Sequence, residues 1–199
     1  MSIRIATEAD LPQILAIYGP YVENTTISFE YDVPGIETFR ERFRGITKQF
    51  PWLVWEEEGV ILGYAYACAP FERAAYRWCT EPSIYLLPQA QGKGIGRKLY
   101  EVLEQILTAQ GYRLSYAIIT SENEPSLAFH RAMGYKETAV FPGCGYKFGK
   151  RLGVTWMEKP LVPVDSAMIE PIAFPIFVEN GRKFLANLGI LSLPQMEKI

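Results

Sequence analysis

Apolar residues recur along this chain with two periods. Leu11, Ile14, Leu15 and Tyr18 are spaced as one face of a helix, as are Ile36, Phe39, Phe43 and Ile46, and again Leu99, Val102, Leu103, Ile106 and Leu107. Shorter alternating or wholly apolar runs lie between and after them: Ile3-Arg4-Ile5, residues 52–56, 60–67, 78–87, 114–119, 135–140 and 154–159, which predict strands. Punctuation agrees. Thr7 with Asp10 three residues on predicts a helix start of the capping-box kind, and Gly19-Pro20 predicts an interruption followed by a second short helix from Tyr21 to about Asn24. A further helix is expected over 35–47, Glu57-Glu58-Gly59 reads as a hairpin turn, and Gly111 stops the long helix. Pro125 suits the first turn of a last helix that ends at Gly134. Residues 25–31 read as a loop or edge strand lining a pocket, and 70–77 as a polar loop. Antiparallel hairpins followed by strand–helix–strand–helix–strand predict an α+β fold with a mixed sheet.

Composition narrows the class. The 199 residues are 49% hydrophobic and 21% charged, ordinary for a globular protein, and the net charge of −2 argues against a nucleic-acid surface. Cys68, Cys79 and Cys144 are odd in number and lack metal-ligand spacing, so they read as reduced thiols of a cytoplasmic protein. With one histidine and scattered thiols, no metal is expected. The start has no signal-peptide core, and no apolar run approaches a membrane span. From about Pro160 the character changes: prolines at 160, 163, 171, 175 and 194 alternate with Phe174, Ile176, Phe177, Phe184, Leu185, Leu188 and Leu191. We expect a domain over 1–159 and a hydrophobic extension over 160–199, packed on the domain or on a second subunit.

The chemistry gathers where the apolar run Ile84-Tyr85-Leu86-Leu87 gives way to the long helix through Gln91-Gly92-Lys93-Gly94-Ile95-Gly96-Arg97-Lys98. Glycines at a strand-to-helix turn allow close backbone approach, and free N–H groups with the macrodipole favour an anion. Arg97 and Lys98 add whole charges, so the turn is a phosphate or pyrophosphate site. It is not a dinucleotide fingerprint, because the third glycine counted from Gly92 would be Arg97. Nor is it a P-loop, since the turn closes on Gly96-Arg97-Lys98 rather than Gly-Lys-Ser/Thr.

What remains, Gln91-x-x-Gly94-x-Gly96, resembles the acyl-CoA pyrophosphate loop of the GNAT N-acetyltransferase superfamily. Asn123-x-x-Ser126-x-x-Phe129-His130-x-x-x-Gly134-Tyr135 resembles its second CoA-binding stretch, with His130 where a Tyr often stands. Together with the stretches 4–10, 21–23, 51–54, 80–85 and 145–149, the chain looks like the phosphinothricin and methionine-sulfoximine N-acetyltransferases over residues 3–159. Gly153 departs from that pattern, where relatives commonly carry an acid. The resemblance implies the GNAT fold (a mostly antiparallel central sheet flanked by helices), acetyl-CoA as cofactor, a small amino-acid-like acceptor and a homodimer.

Acetyl transfer from a thioester to an amine needs a base, a polarised carbonyl and a proton for the leaving thiolate. Glu81, just ahead of the strand that enters the loop, is placed to take the ammonium proton, and the resemblance puts the family's base there. His130 stands where relatives hold the proton donor. Backbone N–H groups of Ile84, Tyr85 and Leu86 are candidates for the thioester carbonyl and pantetheine. Gln91, Gly92, Lys93, Gly94, Ile95, Gly96, Arg97, Asn123 and Ser126 complete the expected cofactor set. For the acceptor we single out Phe29, Glu30, Arg73, Tyr76, Arg77 and Lys147; a bidentate arginine suits a carboxylate or phosphinate. The aromatic residues fit a core equally well, and the arginines an exposed loop. Two other functions stay open at this point: an acetyltransferase of protein N-termini or lysines, and an acyl-CoA sensor without turnover.

Overall fold

A computed structural model describes residues 2–190; Leu191 and Pro194 lie outside the described residues. Seven strands form one sheet in the order β1-β2-β3-β4-β5-β7-β6. They are β1 (Ser2–Ile5), β2 (Trp52–Glu57), β3 (Val60–Cys68), β4 (Cys79–Leu86), β5 (Leu114–Thr120), β6 (Lys136–Lys147) and β7 (Lys150–Pro160). All neighbours pair antiparallel except β4 and β5. The helices are α1 (Leu11–Asn24), α2 (Ile36–Thr47), α3 (Ile95–Gln110), α4 (Glu124–Ala132), α5 (Phe174–Asn180) and α6 (Arg182–Asn187).

Side-chain alternation divides the strands between two cores. Trp52, Val54, Tyr64, Tyr66 and Tyr85 face α1 and α2, packing with Leu11, Ile14, Tyr18, Phe39 and Phe43. Leu53, Trp55, Ala65, Ala67, Ile84 and Leu86 face the other way, onto Leu99, Leu103 and Leu107 of α3. Ala117, Ile119 and Met157 continue that second face beneath α3 and α4, with Tyr100, Leu127 and Tyr135. Over β5, β7 and β6 the first face has no helix among the described residues. Phe71 lies there, with ring centroids 5.9 Å from Trp156 and 5.8 Å from Tyr116, and Phe141 flanks Trp156 at 6.1 Å.

Local expectations hold at the Thr7 corner, where Asp10 Oδ2 accepts from the Thr7 N–H at 2.7 Å and Arg4 grips the same carboxylate at 2.8 and 2.7 Å. Two are corrected. The helix expected to break at Gly19-Pro20 runs unbroken from Leu11 to Asn24 with Pro20 inside it. Proline removes one N–H there, but Ile17, Tyr18 and Val22 on either side are buried, and that packing carries the helix through. The last two strands are also longer than predicted, meeting at a turn where Phe148 and Gly149 both have positive φ. Their outer half is stabilised from outside the hairpin: Phe29 lays its ring on Gly145, where a Cβ would sit 2.3 Å from it, and Tyr31 donates to the Tyr146 carbonyl at 2.5 Å.

Residues beyond Pro160 cross the end of α3 and close the second core. Gln110 Nε2 donates to the Gln49 and Ile172 carbonyls, and Phe174, Phe177, Val178, Leu185 and Ile190 join the cluster around Leu103 and Leu107. Phe177→Ala should therefore cost about 3–5 kcal/mol of stability, read by denaturant unfolding of the full chain. A loss below about 1 kcal/mol would mean that the helices after residue 173 only rest on the domain.

Candidate active site

The parallel pairing of β4 with β5 covers Cys79↔Leu114 and Thr80↔Ser115 and then stops. The antiparallel ladder with β3 fixes which backbone groups this frees. Leu87 N–H donates to Leu62 O, and the register then makes Tyr64↔Tyr85, Tyr66↔Ser83 and Cys68↔Glu81 the hydrogen-bonded pairs. Glu81, Ser83 and Tyr85 thus spend their backbone groups on β3. Pro82, Ile84 and Leu86 point theirs toward β5, which has already turned away. Pro82 has no N–H to lose at the fork. Ile84 and Leu86 present free peptide groups to the gap; Tyr21 Oη already donates to Leu86 O at 2.5 Å.

The gap is a cleft of about 620 Å³ lined by residues of β4, β5, α3 and α4. At one end α3 begins. Its N-cap Gly94 has φ 79° and Gly92 has φ 72°, backbone that favours glycine, and a Cβ on either would meet no atom within 4 Å. Gly96 differs: a Cβ there would meet Ile84 and Leu86 methyls at 3.4 Å, so its absence lets α3 settle on β4. The first intrahelical bond is Lys98 N–H to Gly94 O, which leaves the N–H groups of Ile95, Gly96 and Arg97 without helical partners at the cleft. Asn123 caps α4 by accepting from Ser126 N–H through Oδ1 at 3.3 Å, keeping its NH₂ for a ligand. Free peptides along β4, orphan N–H groups with Arg97 at the helix start, and the Asn123 amide together fit an extended thioester carrying a pyrophosphate.

Titratable groups enter from both faces of the sheet. Glu81 lines the cleft and follows Ser83 and Tyr85 onto the α1–α2 side; burial raises its carboxyl above the ordinary glutamate range. His130 enters from the α3–α4 side and is 4% exposed. Its Nδ1 lies 2.8 Å from the Ser126 carbonyl, which only accepts, so Nδ1 carries hydrogen and Nε2 accepts from the Tyr100 hydroxyl at 2.7 Å. Burial lowers the imidazole pKa to about 4, and His130 is neutral at pH 7.

Of the expected residues, Glu81, Ile84, Tyr85, Leu86, Gln91, Gly92, Gly94, Gly96, Arg97, Asn123, Ser126 and His130 line this cleft. Ile95 turns its side chain into the core, and Lys93 is exposed outside the lining. The proposed acceptor residues lie elsewhere. Lys147 is 1% exposed and donates at 2.7 Å to the Val22 and Ser28 carbonyls, clamping residues 22–28 to β6 rather than offering its charge to a substrate. Arg77 pairs with Glu170 at 2.6 Å, drawn away by the segment after Pro160. Glu30 pairs with Arg42, while Phe29, Tyr76 and Arg73 are exposed around the α1–α2 side. Sequence reasoning missed Tyr21 and Tyr100. Each is a phenol on a helix face otherwise apolar, and such a hydroxyl needs a partner.

This arrangement has known counterparts. A model of the GNAT acetyltransferase domain matches residues 3–156. The chain is 36% identical over 171 residues to a phosphinothricin N-acetyltransferase of Alcaligenes faecalis, covering 85% of this chain and 87% of that protein. It is 38% identical over 170 residues to an L-methionine sulfoximine/L-methionine sulfone acetyltransferase of Pseudomonas paraeruginosa, covering 83% and 98%. The crystal structure of a GNAT phosphinothricin acetyltransferase from Sinorhizobium meliloti with AcCoA superposes with a TM-score of 0.80 at 36% identity, over 87% of this chain and 95% of that one. The chain belongs to the GNAT acetyltransferase family, and its co-substrate is acetyl-CoA.

Gly94→Val puts a branched side chain at φ 79° at the N-cap of α3. We expect at least about tenfold weaker acetyl-CoA binding by calorimetry, the loss of ~1.4 kcal/mol, with the fold retained. Unchanged affinity in a folded variant would remove the turn from the cofactor site.

Proposed function

We propose that this enzyme transfers the acetyl group of acetyl-CoA to the α-amino group of a small amino acid or analogue, by direct attack in a ternary complex. The observation that carries this reading is the entry of Glu81 and His130 into one cleft from opposite faces of the sheet. The acceptor approaches on the α1–α2 side, where Glu81, Ser83 and Tyr85 point and the loops 25–31 and 69–78 stand over the sheet. Glu81 takes the ammonium proton, and the burial that raises its carboxyl above the ordinary glutamate range makes it a stronger base. The peptide N–H groups of Ile84 and Leu86 are the donors free to hold the thioester carbonyl and the pantetheine chain. The side carrying His130 supplies the proton for the leaving thiolate. Arg73 is the exposed cation at hand for the acceptor's acidic group, and the close relatives named for phosphinothricin and methionine sulfoximine support an amino-acid-like acceptor.

The uncovered aromatic face of β5, β7 and β6 supports a homodimer. Tyr76 and Phe141 there are 45% and 48% exposed. The odd cysteine count supports a cytoplasmic setting, and no helix among the described residues is long and apolar enough to cross a membrane.

A panel of amino acids, glutamate analogues and short peptides with acetyl-CoA, followed by free thiol, tests the acceptor class. Small amino acids should turn over fastest; faster acetylation of peptide N-termini or lysines would overturn the assignment. In the same assay Glu81→Gln should lower turnover by ~10²–10⁴-fold with acetyl-CoA affinity kept. The acidic limb of wild-type kcat/KM should lie above the ordinary glutamate range, because a raised pKa delays formation of the carboxylate as pH rises. A loss of only a few-fold would return Glu81 to a structural role. Light scattering should give a dimer for the full chain and a monomer for Trp156→Glu; a wild-type monomer refutes pairing through this face.

A further inference from the structure

Residues 69–77 connect the end of β3 to the approach of β4, so they leave the sheet beside the Cys68↔Glu81 pair. Phe71 sets this loop against Tyr116 and Trp156, and the Tyr76 ring lies on Phe71 with centroids 4.5 Å apart. Arg73 opens a single 3-10 turn, Ala74–Tyr76, which is closed by the Tyr76 and Arg77 N–H groups donating to the Arg73 and Ala74 carbonyls. Those bonds are internal. Among the described residues, 69–76 make no hydrogen bond to another segment, and Arg77 makes one, from Nη1 to Glu170 Oε1 at 2.6 Å.

Glu170 does not stand on a free tail. Gly111, with φ 107°, lies under this stretch, and a Cβ there would sit 3.2 Å from Pro171 Cα and 3.3 Å from Glu170 O. Gln110 exchanges two hydrogen bonds with the Ile172 backbone, both 2.8 Å, and Arg113 Nη2 donates to Ala167 O at 2.8 Å. Residues 167–172 thus form a strap fixed across the turn between α3 and β5. From the other side Trp78 Nε1 donates to Ile169 O at 2.7 Å. The Arg77 guanidinium gathers these parts: Nε donates to Ala74 O at 2.9 Å, Nη1 to Glu170, and Cζ stands 5.4 Å from the Trp78 ring centroid.

We propose that this strap sets the acceptor loop, and that Glu170 and Trp78 are positioning residues for acceptor binding, acting through Arg77 on the turn that carries Arg73. The proposal rests on the reading above, in which Arg73 meets the acceptor's acidic group. An exposed ion pair contributes little to the stability of a whole domain. A loop with no other tie needs only a small bias, because apparent affinity falls with the fraction of molecules whose loop is in place. The sign of the effect separates positioning from charge alone. Glu170 is an anion, so if only its field mattered, removing it would tighten binding of an acidic acceptor. Loss of positioning weakens it.

Steady-state kinetics of the full-length Glu170→Ala, Arg77→Met and double variants, with acetyl-CoA and phosphinothricin or methionine sulfoximine, test this. Each single change should raise acceptor KM by about 2–5-fold, with kcat, acetyl-CoA KM and the unfolding midpoint close to wild type. In the Glu170→Ala background, Arg77→Met should add nothing further, since the two act as a unit. Trp78→Phe, which keeps the ring and loses the Nε1 donor, should shift acceptor KM the same way; if Arg77→Met fails to fold, it and Glu170→Ala decide. Unchanged or lowered acceptor KM in Glu170→Ala would overturn the proposal, as would an Arg77→Met effect of full size in both backgrounds, which marks a direct acceptor contact. Each of these leaves acetyl transfer standing. A wild type that releases no thiol with either acceptor would overturn the acceptor reading and the proposal with it.

Discussion

Two residue pairs join β4 to β5, and beyond them the strands part. Parallel strands ordinarily satisfy each other's backbone groups along their whole length. Here the ladder with β3 continues to the end of β4, so only one side of the strand is released. That asymmetry leaves the peptide groups of Ile84 and Leu86 facing a gap while Ser83 and Tyr85 remain tied. A strand with one free edge inside a sheet is an unfilled ladder position, ready for another extended amide-bearing chain. Pantetheine has that character, with amides along a flexible stem. Proline at position 82 makes the parting inexpensive, since it carries no donor to orphan at the fork.

The same parting joins the two faces of the sheet. Strand alternation sends Glu81 to the α1–α2 side and leaves the α3–α4 side to His130 and Tyr100. In an unbroken sheet these groups would be separated by backbone. In the fork they line one cleft, and burial shifts them in useful directions: the Glu81 carboxyl becomes a better base, and the imidazole stays neutral. On the proposed reading, anchoring of the pyrophosphate falls to the start of α3, where the N–H groups of Ile95, Gly96 and Arg97 have no helical partners.

Much of this was legible in the residues. Hydrophobic periods located the strands and helices of the domain, and the glycine turn after an apolar run marked the helix start that opens onto the cleft. The failures have physical causes. Local sequence says that Gly19-Pro20 should break a helix, but burial of Ile17, Tyr18 and Val22 outweighs one lost hydrogen bond. Lys147 and Arg77 looked available for a substrate because sequence shows charge and not partners; one is enclosed by the Val22 and Ser28 carbonyls and the other is held by Glu170, 93 positions away. Tyr100 escaped notice because a tyrosine among leucines on a buried stripe reads as packing, and the meaning of its hydroxyl depends on a histidine 30 positions on. Such pairings are tertiary facts, while glycine turns and caps are local ones.

On the reading proposed above, cofactor binding depends most on the freed edge of β4. Amide hydrogen exchange at single residues, followed by NMR with and without acetyl-CoA, reads that edge directly. The Ser83 and Tyr85 amides, bonded to β3, should be protected in both states. The Ile84 and Leu86 amides should exchange readily in the free protein and become protected when acetyl-CoA binds. Equal protection of all four in the free protein, or no change at Ile84 and Leu86 on binding, would contradict that role for the edge.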